Sequence, residues 1–147
     1  MASVRGEMSG DHRHCDELFA AVESAVNAGQ WAVATEAFAS YRKAMLAHFD
    51  AEEKVLFPVF EERTGMRMGP TQVMRNEHAQ MRELIEAAGA GVAEKDAEEY
   101  SGYAETLLIM MQQHNMKEEN VLYPMCDEHL ADRMGTLIPS IEQVLRG

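Results

Sequence analysis

The sequence predicts an all-α protein, an up-down-up-down four-helix bundle closed by a short C-terminal helix. Three observations predict it. Ala, Glu, Met and Leu recur at helical spacing, while two-residue alternation is rare. Four long apolar stripes are separated only by short Gly- or Pro-marked connections, which pack neighbouring helices antiparallel. Finally, the eleven-residue stretch from His48 to Pro58 returns at His114 to Pro124 with six identical positions, so the chain reads as two similar halves.

Taken in order, the first helix is expected to start near Ser9 or Asp11 and to end at Gly29, with Leu18, Val22, Ala25 and Val26 on its apolar face. The second begins near Gln30 or Trp31 and runs to about Arg63, with Gly65 just past its end as a cap. Tyr41, Met45, His48, Glu52 and Leu56 share one stripe of it. Pro70 occupies the tolerated first position of a third helix that ends near Gly89 or Gly91. The fourth runs from near Asp96 to about His129, and Leu107, Met111, His114, Glu118 and Leu122 mark its stripe. A short last helix, started or interrupted around Pro139, ends at about Leu145. Pro58 and Pro124 each remove a backbone hydrogen bond, so the second and fourth helices are expected to kink or break there.

The 147 residues are read as one domain able to bury a real core, built as two helix hairpins over about 9–64 and 70–130. With 46% hydrophobic and 26% charged residues, wholesale disorder is excluded. A net charge of −12 argues against nucleic acid or an anionic membrane as partner, since both are polyanions. No apolar run is long enough to span a bilayer, and no signal peptide is recognisable. Cys15 and Cys126 form no pattern, which fits free thiols in a reducing cytosol and a cytoplasmic location.

The repeat carries the chemistry. His48 precedes Glu52 by four residues, and His114 precedes Glu118 by four. On a helix this spacing stacks imidazole and carboxylate on one face, one turn apart. The second copy lies 66 residues after the first, and the same offset carries His12 onto His78. Asp11 and Glu77 precede these two His, and Glu17-Leu18 and Glu83-Leu84 follow them. At about 1.5 Å per residue, His12 and His48 both lie roughly 25 Å from their connecting turn; His78 and His114 agree to about a turn. His12, His48, Glu52, His78, His114 and Glu118 are therefore expected to converge in one layer. One His on an apolar face is ordinarily a satisfied core residue. Four imidazoles and two carboxylates buried together without a cation would cost several kcal/mol, against a total stability of about 5–15 kcal/mol. A metal removes that cost, because it wants its ligands deprotonated.

The combined pattern, Asp11-His12, His48-x-x-x-Glu52, Glu77-His78 and His114-x-x-x-Glu118 with two Leu-aromatic-Pro tails, resembles the hemerythrin-like family, also called the HHE cation-binding domain. The resemblance covers essentially the whole chain. It implies two non-haem Fe ions with an oxo or hydroxo bridge, Glu52 and Glu118 bridging them and the four His capping them. Manganese or zinc would be misloaded alternatives. Such ligands leave roughly one open position on each ion. The resemblance implies binding of O2, NO or another small oxidant such as peroxide, for sensing, storage or scavenging. The alternatives are a di-iron enzyme or repair protein acting on peroxide, NO or iron–sulfur clusters, and an iron-responsive interaction module whose protein partner is unknown. The oxygen-carrying members have a second His one turn after the third-helix His, where this chain has Arg82, and a shorter carboxylate spacing after the last His. The symmetric set here is more similar to bacterial members, so simple reversible oxygen carriage is not implied.

Other residues carry weaker expectations. Glu53 and Glu119 lie about 100° round the helix from Glu52 and Glu118 and are expected to support the site or face solvent, with entry among the metal ligands in some redox states as the alternative. Arg82 is expected to pair with Asp16 or cover the site mouth. Phe49, Met45, Met81, Leu18 and Met110 are expected to limit water access. Cys15, one turn inward from His12, is expected near the centre, roughly 20 Å from Cys126 and out of bonding reach. His14 is expected to be exposed, and His129 to cap helix-end carbonyls.

Overall fold

Helix-favouring sequence and Gly/Pro punctuation give five helices in the computed structural model, which describes residues 2–147; no strand occurs among the described residues. The first, α1, spans Val4–Asn27 and so starts earlier than the sequence pattern indicates. The reason is tertiary. Ser3 Oγ accepts the Gly6 N–H at 2.9 Å, and the Val4 and Arg5 N–H groups donate to the Asp127 carboxylate at 2.7 and 3.1 Å. N–H groups that a helix start leaves unpaired are thus satisfied by a residue near the other end of the chain. Past the end of α1, Gly29 takes a φ of 68° that its missing side chain permits.

Helix α2 is continuous through Trp31–Asp50, a π-helical turn Ala51–Leu56, and Phe57–Thr64. Helix α4 repeats this as Ala97–Lys117, a π turn Glu118–Leu122, and Tyr123–His129. Neither helix breaks at its proline; at Pro58 and at Pro124 the chain runs on through a π turn. Phe57 N–H donates to the Glu52 carbonyl and Tyr123 N–H to the Glu118 carbonyl, five residues back. In that register each proline would have paired with the next carbonyl, of Glu53 or Glu119. Both carbonyls instead accept from an arginine, Arg75 Nη1 at 3.5 Å and Arg5 Nε at 2.9 Å. The helices therefore pass through their prolines with the freed acceptors satisfied.

Helix α3 spans Pro70–Ala93, running past the glycines where it was expected to end. Those glycines mark close approach. A Cβ on Gly91 would lie 2.7 Å from the Tyr100 backbone N and 2.9 Å from its Cα; one on Gly89 would meet the Phe38 ring at 2.8 Å. Gly91→Ala gains about 1 kcal/mol of helix propensity, but overpacking against a rigid backbone costs about 1–3 kcal/mol. The expected result is a lower melting temperature for Gly91→Ala, measured by thermal unfolding. Asp96 caps α4, its Oδ1 accepting the Glu99 N–H at 3.1 Å. A 3-10 turn, Ala131–Arg133, leads into α5, Met134–Arg146. Pro139 lies inside α5 and neither starts nor interrupts it. The buried stripe of Leu137, Ile138 and Ile141 holds that helix on the bundle.

Helices α1 and α2 form one antiparallel hairpin and α3 and α4 the other. Two apolar clusters fill the bundle. One, including Val22, Phe38, Ile85 and Tyr100, lies towards the hairpin turns; the other, including Met8, Leu56, Phe60 and Ile141, lies towards the open ends and α5. Between them sits a buried layer of His and Glu. Among the described residues, no helix is long and apolar enough to cross a membrane.

Candidate metal centre

Each long helix sends one His into the buried layer: His12 from α1, His48 from α2, His78 from α3 and His114 from α4. Glu52 enters from the second residue of its π turn and Glu118 from the first of its own. None of the six is more than 4% exposed. Glu118 Oε1 lies 3.0 Å from His12 Nε2, 3.3 Å from His114 Nε2 and 4.0 Å from His48 Nε2. Glu52 Oε1 lies 3.1 Å from His78 Nε2 and 3.5 Å from His48 Nε2. The donors fall into two groups that share Glu118: Glu52, His78, His114 and Glu118, and His12, His48 and Glu118. Within each group the donor atoms lie within 4.8 Å of one another. The structure thus brings together all six residues singled out by the repeat. His14 and His129 are exposed and stay outside the layer.

The outward nitrogens are as ordered as the inward ones. His48 Nδ1 bonds Asp11 at 2.7 Å, and His114 Nδ1 bonds Glu77 at 2.8 Å. Glu77 is held in turn by Lys117. His12 Nδ1 bonds Glu119 at 2.6 Å and His78 Nδ1 bonds Glu53 at 2.7 Å, each bond crossing from one hairpin to the other. All four pairs obey the 66-residue offset. Glu53 and Glu119 therefore orient imidazoles rather than face solvent alone. Asp11 and Glu77 were visible in the motif, but their role needed the fold. Arg82 does not pair with Asp16. It grips Glu53 at 2.9 and 3.1 Å, approaches Asp50 at 3.6 Å and lies over the Phe49 ring, closing the α2/α3 side of the site. Phe49 and Phe57 stack on His78 at 4.3 and 5.8 Å.

Charge balance in the layer is set by its own members. Burial lowers the pKa of His48, but Glu52, Asp11 and Glu118 outweigh it and push it up to about 10. Burial likewise opposes His78, which Glu52 and Glu53 raise to about 9. Burial and the nearby Glu118 raise Glu52. Burial works against Glu118 too, yet His114 and its other partners hold its carboxylate well below the usual range. Despite this pairing, Glu52 Oε1, Glu118 Oε2, His78 Nε2 and His114 Nε2 are buried without a hydrogen-bond partner. His78 Nε2 and Glu52 Oε1 are close but not aligned for one. Leaving such groups unpaired costs about 1–3 kcal/mol each. Four converging N and O donors of this kind fit a metal site. The absence of thiolates suits iron or manganese better than structural zinc.

Two features escaped the sequence reading. The first is Tyr123, present there only as the aromatic residue of the second Leu-aromatic-Pro tail. Its hydroxyl reaches the middle of the layer, 2.8 Å from Glu52 Oε2, 2.9 Å from Glu118 Oε1, 3.2 Å from His12 Nε2 and 3.5 Å from His48 Nε2. The signal was the one hydroxyl by which the two repeat tails differ. The second is a cavity beside His12, lined by Cys15, Phe19, Tyr41, Met45 and Met111. It adjoins a groove between α1 and α4 that shares Asp16, Leu108 and Asn115 with it. Cys15 does lie near the centre, as a buried free thiol whose pKa burial raises, and Cys126 is also free. The His129 carbonyl, at the end of α4, is capped by Arg63 Nη1 at 2.8 Å.

No curated protein and no solved structure matches the chain at a significant level. A family model described as the Hemerythrin HHE cation binding domain matches residues 4–126. That span takes in all six inward donors and all four carboxylates behind them, and the chain belongs to the hemerythrin HHE cation-binding family.

Proposed function

We propose that the chain is a non-haem di-iron protein of the cytosol that binds O2, NO or another small oxidant for sensing, storage or scavenging. The observation that carries this reading is the set of four buried N and O donors without hydrogen-bond partners, inside a layer of four His and two Glu. His12, His48, His78 and His114 would hold the metal through Nε2, and Glu52 and Glu118 would bridge. When bound, the iron pair supplies redox change and open coordination positions. The protein supplies the rest. Carboxylates on each Nδ1 fix the tautomer whose Nε2 lone pair faces inward. Phe49, Phe57 and the Arg82 clamp shut the α2/α3 side, and the cavity beside His12 offers a largely apolar approach from the α1/α4 side. An apolar approach favours diatomic molecules over peroxide.

Metal content and the visible spectrum of anaerobically prepared protein, before and after air, test the reading. Two irons per chain and a colour change that reverses when air is removed support reversible binding. Two irons that convert once to a stable form shift the weight to NO or peroxide turnover, or to repair. Absence of iron overturns the proposal. The orienting carboxylates give a second test. Glu53→Ala frees both His78 Nδ1 and Arg82, and iron affinity is expected to fall about 10–100-fold, measured by competition with a chelator. His14→Ala is expected to change nothing.

A further inference from the structure

The repeat makes the two halves of the site chemically alike at nearly every position. His12 matches His78, His48 matches His114, Glu52 matches Glu118, and Glu53 matches Glu119. One difference, at the centre of the layer, is Phe57 against Tyr123. Both rings are fully buried, but only one carries an oxygen.

That oxygen sits among donors in a particular way. Neighbouring ligands on a six-coordinate ion, with bonds of about 2.1 Å, lie about 3 Å apart. Tyr123 Oη lies 2.8, 2.9, 3.2 and 3.5 Å from Glu52 Oε2, Glu118 Oε1, His12 Nε2 and His48 Nε2. These are the separations of one ligand from its neighbours round a single ion. The donors left without partners are the complementary set, His78 Nε2, His114 Nε2, Glu52 Oε1 and Glu118 Oε2. The hydroxyl therefore serves the His12/His48 position and does not serve the His78/His114 position. There Phe57 offers only a ring face, stacked on His78 at 5.8 Å.

We infer that Tyr123 is itself a metal ligand, its phenolate oxygen joining His12 and His48 on one ion. The phenolic proton passes to solvent as the metal enters, as protons do when other ligands are metallated. The two positions are then unequal, one supplied with a phenolate oxygen and the other faced by the Phe57 ring. This rests on the di-iron reading.

The test is resonance Raman and visible absorption of the ferric protein, in the wild type, Tyr123→Phe and Tyr103→Phe, with iron counted in each. The expected wild-type spectrum has a phenolate-to-iron charge-transfer band carrying tyrosine ring vibrations. Tyr123→Phe loses the band while keeping two irons per chain, and Tyr103→Phe, altered at an exposed ring, keeps it. Phe57 shows that the matching position accepts a Phe ring. Should Tyr123→Phe not fold, ring-deuterated tyrosine in the wild type must shift the same vibrations. A wild type with two irons but no tyrosine vibrations overturns the assignment and leaves the di-iron reading standing. A band that survives Tyr123→Phe also overturns it. A wild type without iron overturns both.

Discussion

A Glu118→Ala protein is expected to lose both metal ions. Glu118 is the residue common to the two donor groups. Its Oε1 faces His12, His114 and Tyr123 at 3.0, 3.3 and 2.9 Å, and its Oε2 has no other partner. Removing it takes a donor from each group and one of only two carboxylates from among four imidazoles. The remaining cluster carries too little negative charge to hold two cations in a buried layer. His48→Ala removes a donor from one group only, so it is expected to lose about one ion and keep the other. His14→Ala and His129→Ala, both at exposed positions, are expected to keep two. Elemental analysis after a chelator challenge reads all four. Because metal bound to the native state stabilises it by mass action, the melting temperatures should fall in the same order. A Glu118→Ala protein with a full complement and an unchanged spectrum would end the bridging assignment.

Metal-free protein is expected to lose stability as pH rises from about 6.5 to about 10, and metal-loaded protein is not. Without metal, the buried carboxylates are balanced by imidazolium. His48 is raised from 6.5 to about 10 and His78 to about 9, with His114 raised as well. A His with a raised pKa binds more protons in the folded state than in the unfolded state across that window. Its contribution is complete below 6.5 and is lost as pH climbs through the folded value. In the loaded protein the metal replaces those protons, so the same rise in pH removes nothing from these groups and favours metal uptake. Urea unfolding midpoints at several pH values, with chelator and with iron, separate the two cases. A metal-free midpoint that is flat or rising over this range would show that protons do not stand in for the metal.

The contrast between what was legible and what was not follows the range of the forces involved. Helices α2 and α4, their connections and their apolar stripes follow from local periodicity and from Gly29, Gly65 and Pro70, each of which acts on its own few residues. The start of α1 was misplaced because Asp127 of α4 caps it. Gly89 and Gly91 were read as helix ends because a glycine looks the same whether it stops a helix or admits a neighbour. At Pro58 and Pro124 the π turns were not legible, nor were the arginines that take the spare carbonyls, because those arginines come from other helices.

The same division runs through the site. By itself the sequence determined that His12, His48, Glu52, His78, His114 and Glu118 share one level, since helical rise and the 66-residue repeat set their heights. Only the tertiary structure decided which carboxylate orients which imidazole. The bonds from Glu119 to His12 and from Glu53 to His78 pass between hairpins, and their partners depend on how the hairpins face each other. It also decided that Arg82 closes one side on Glu53, that a cavity opens beside His12, and that the Tyr123 hydroxyl enters the centre. Periodicity sets the height and face of a side chain on its own helix; what that side chain meets is set by the packing of four helices at once.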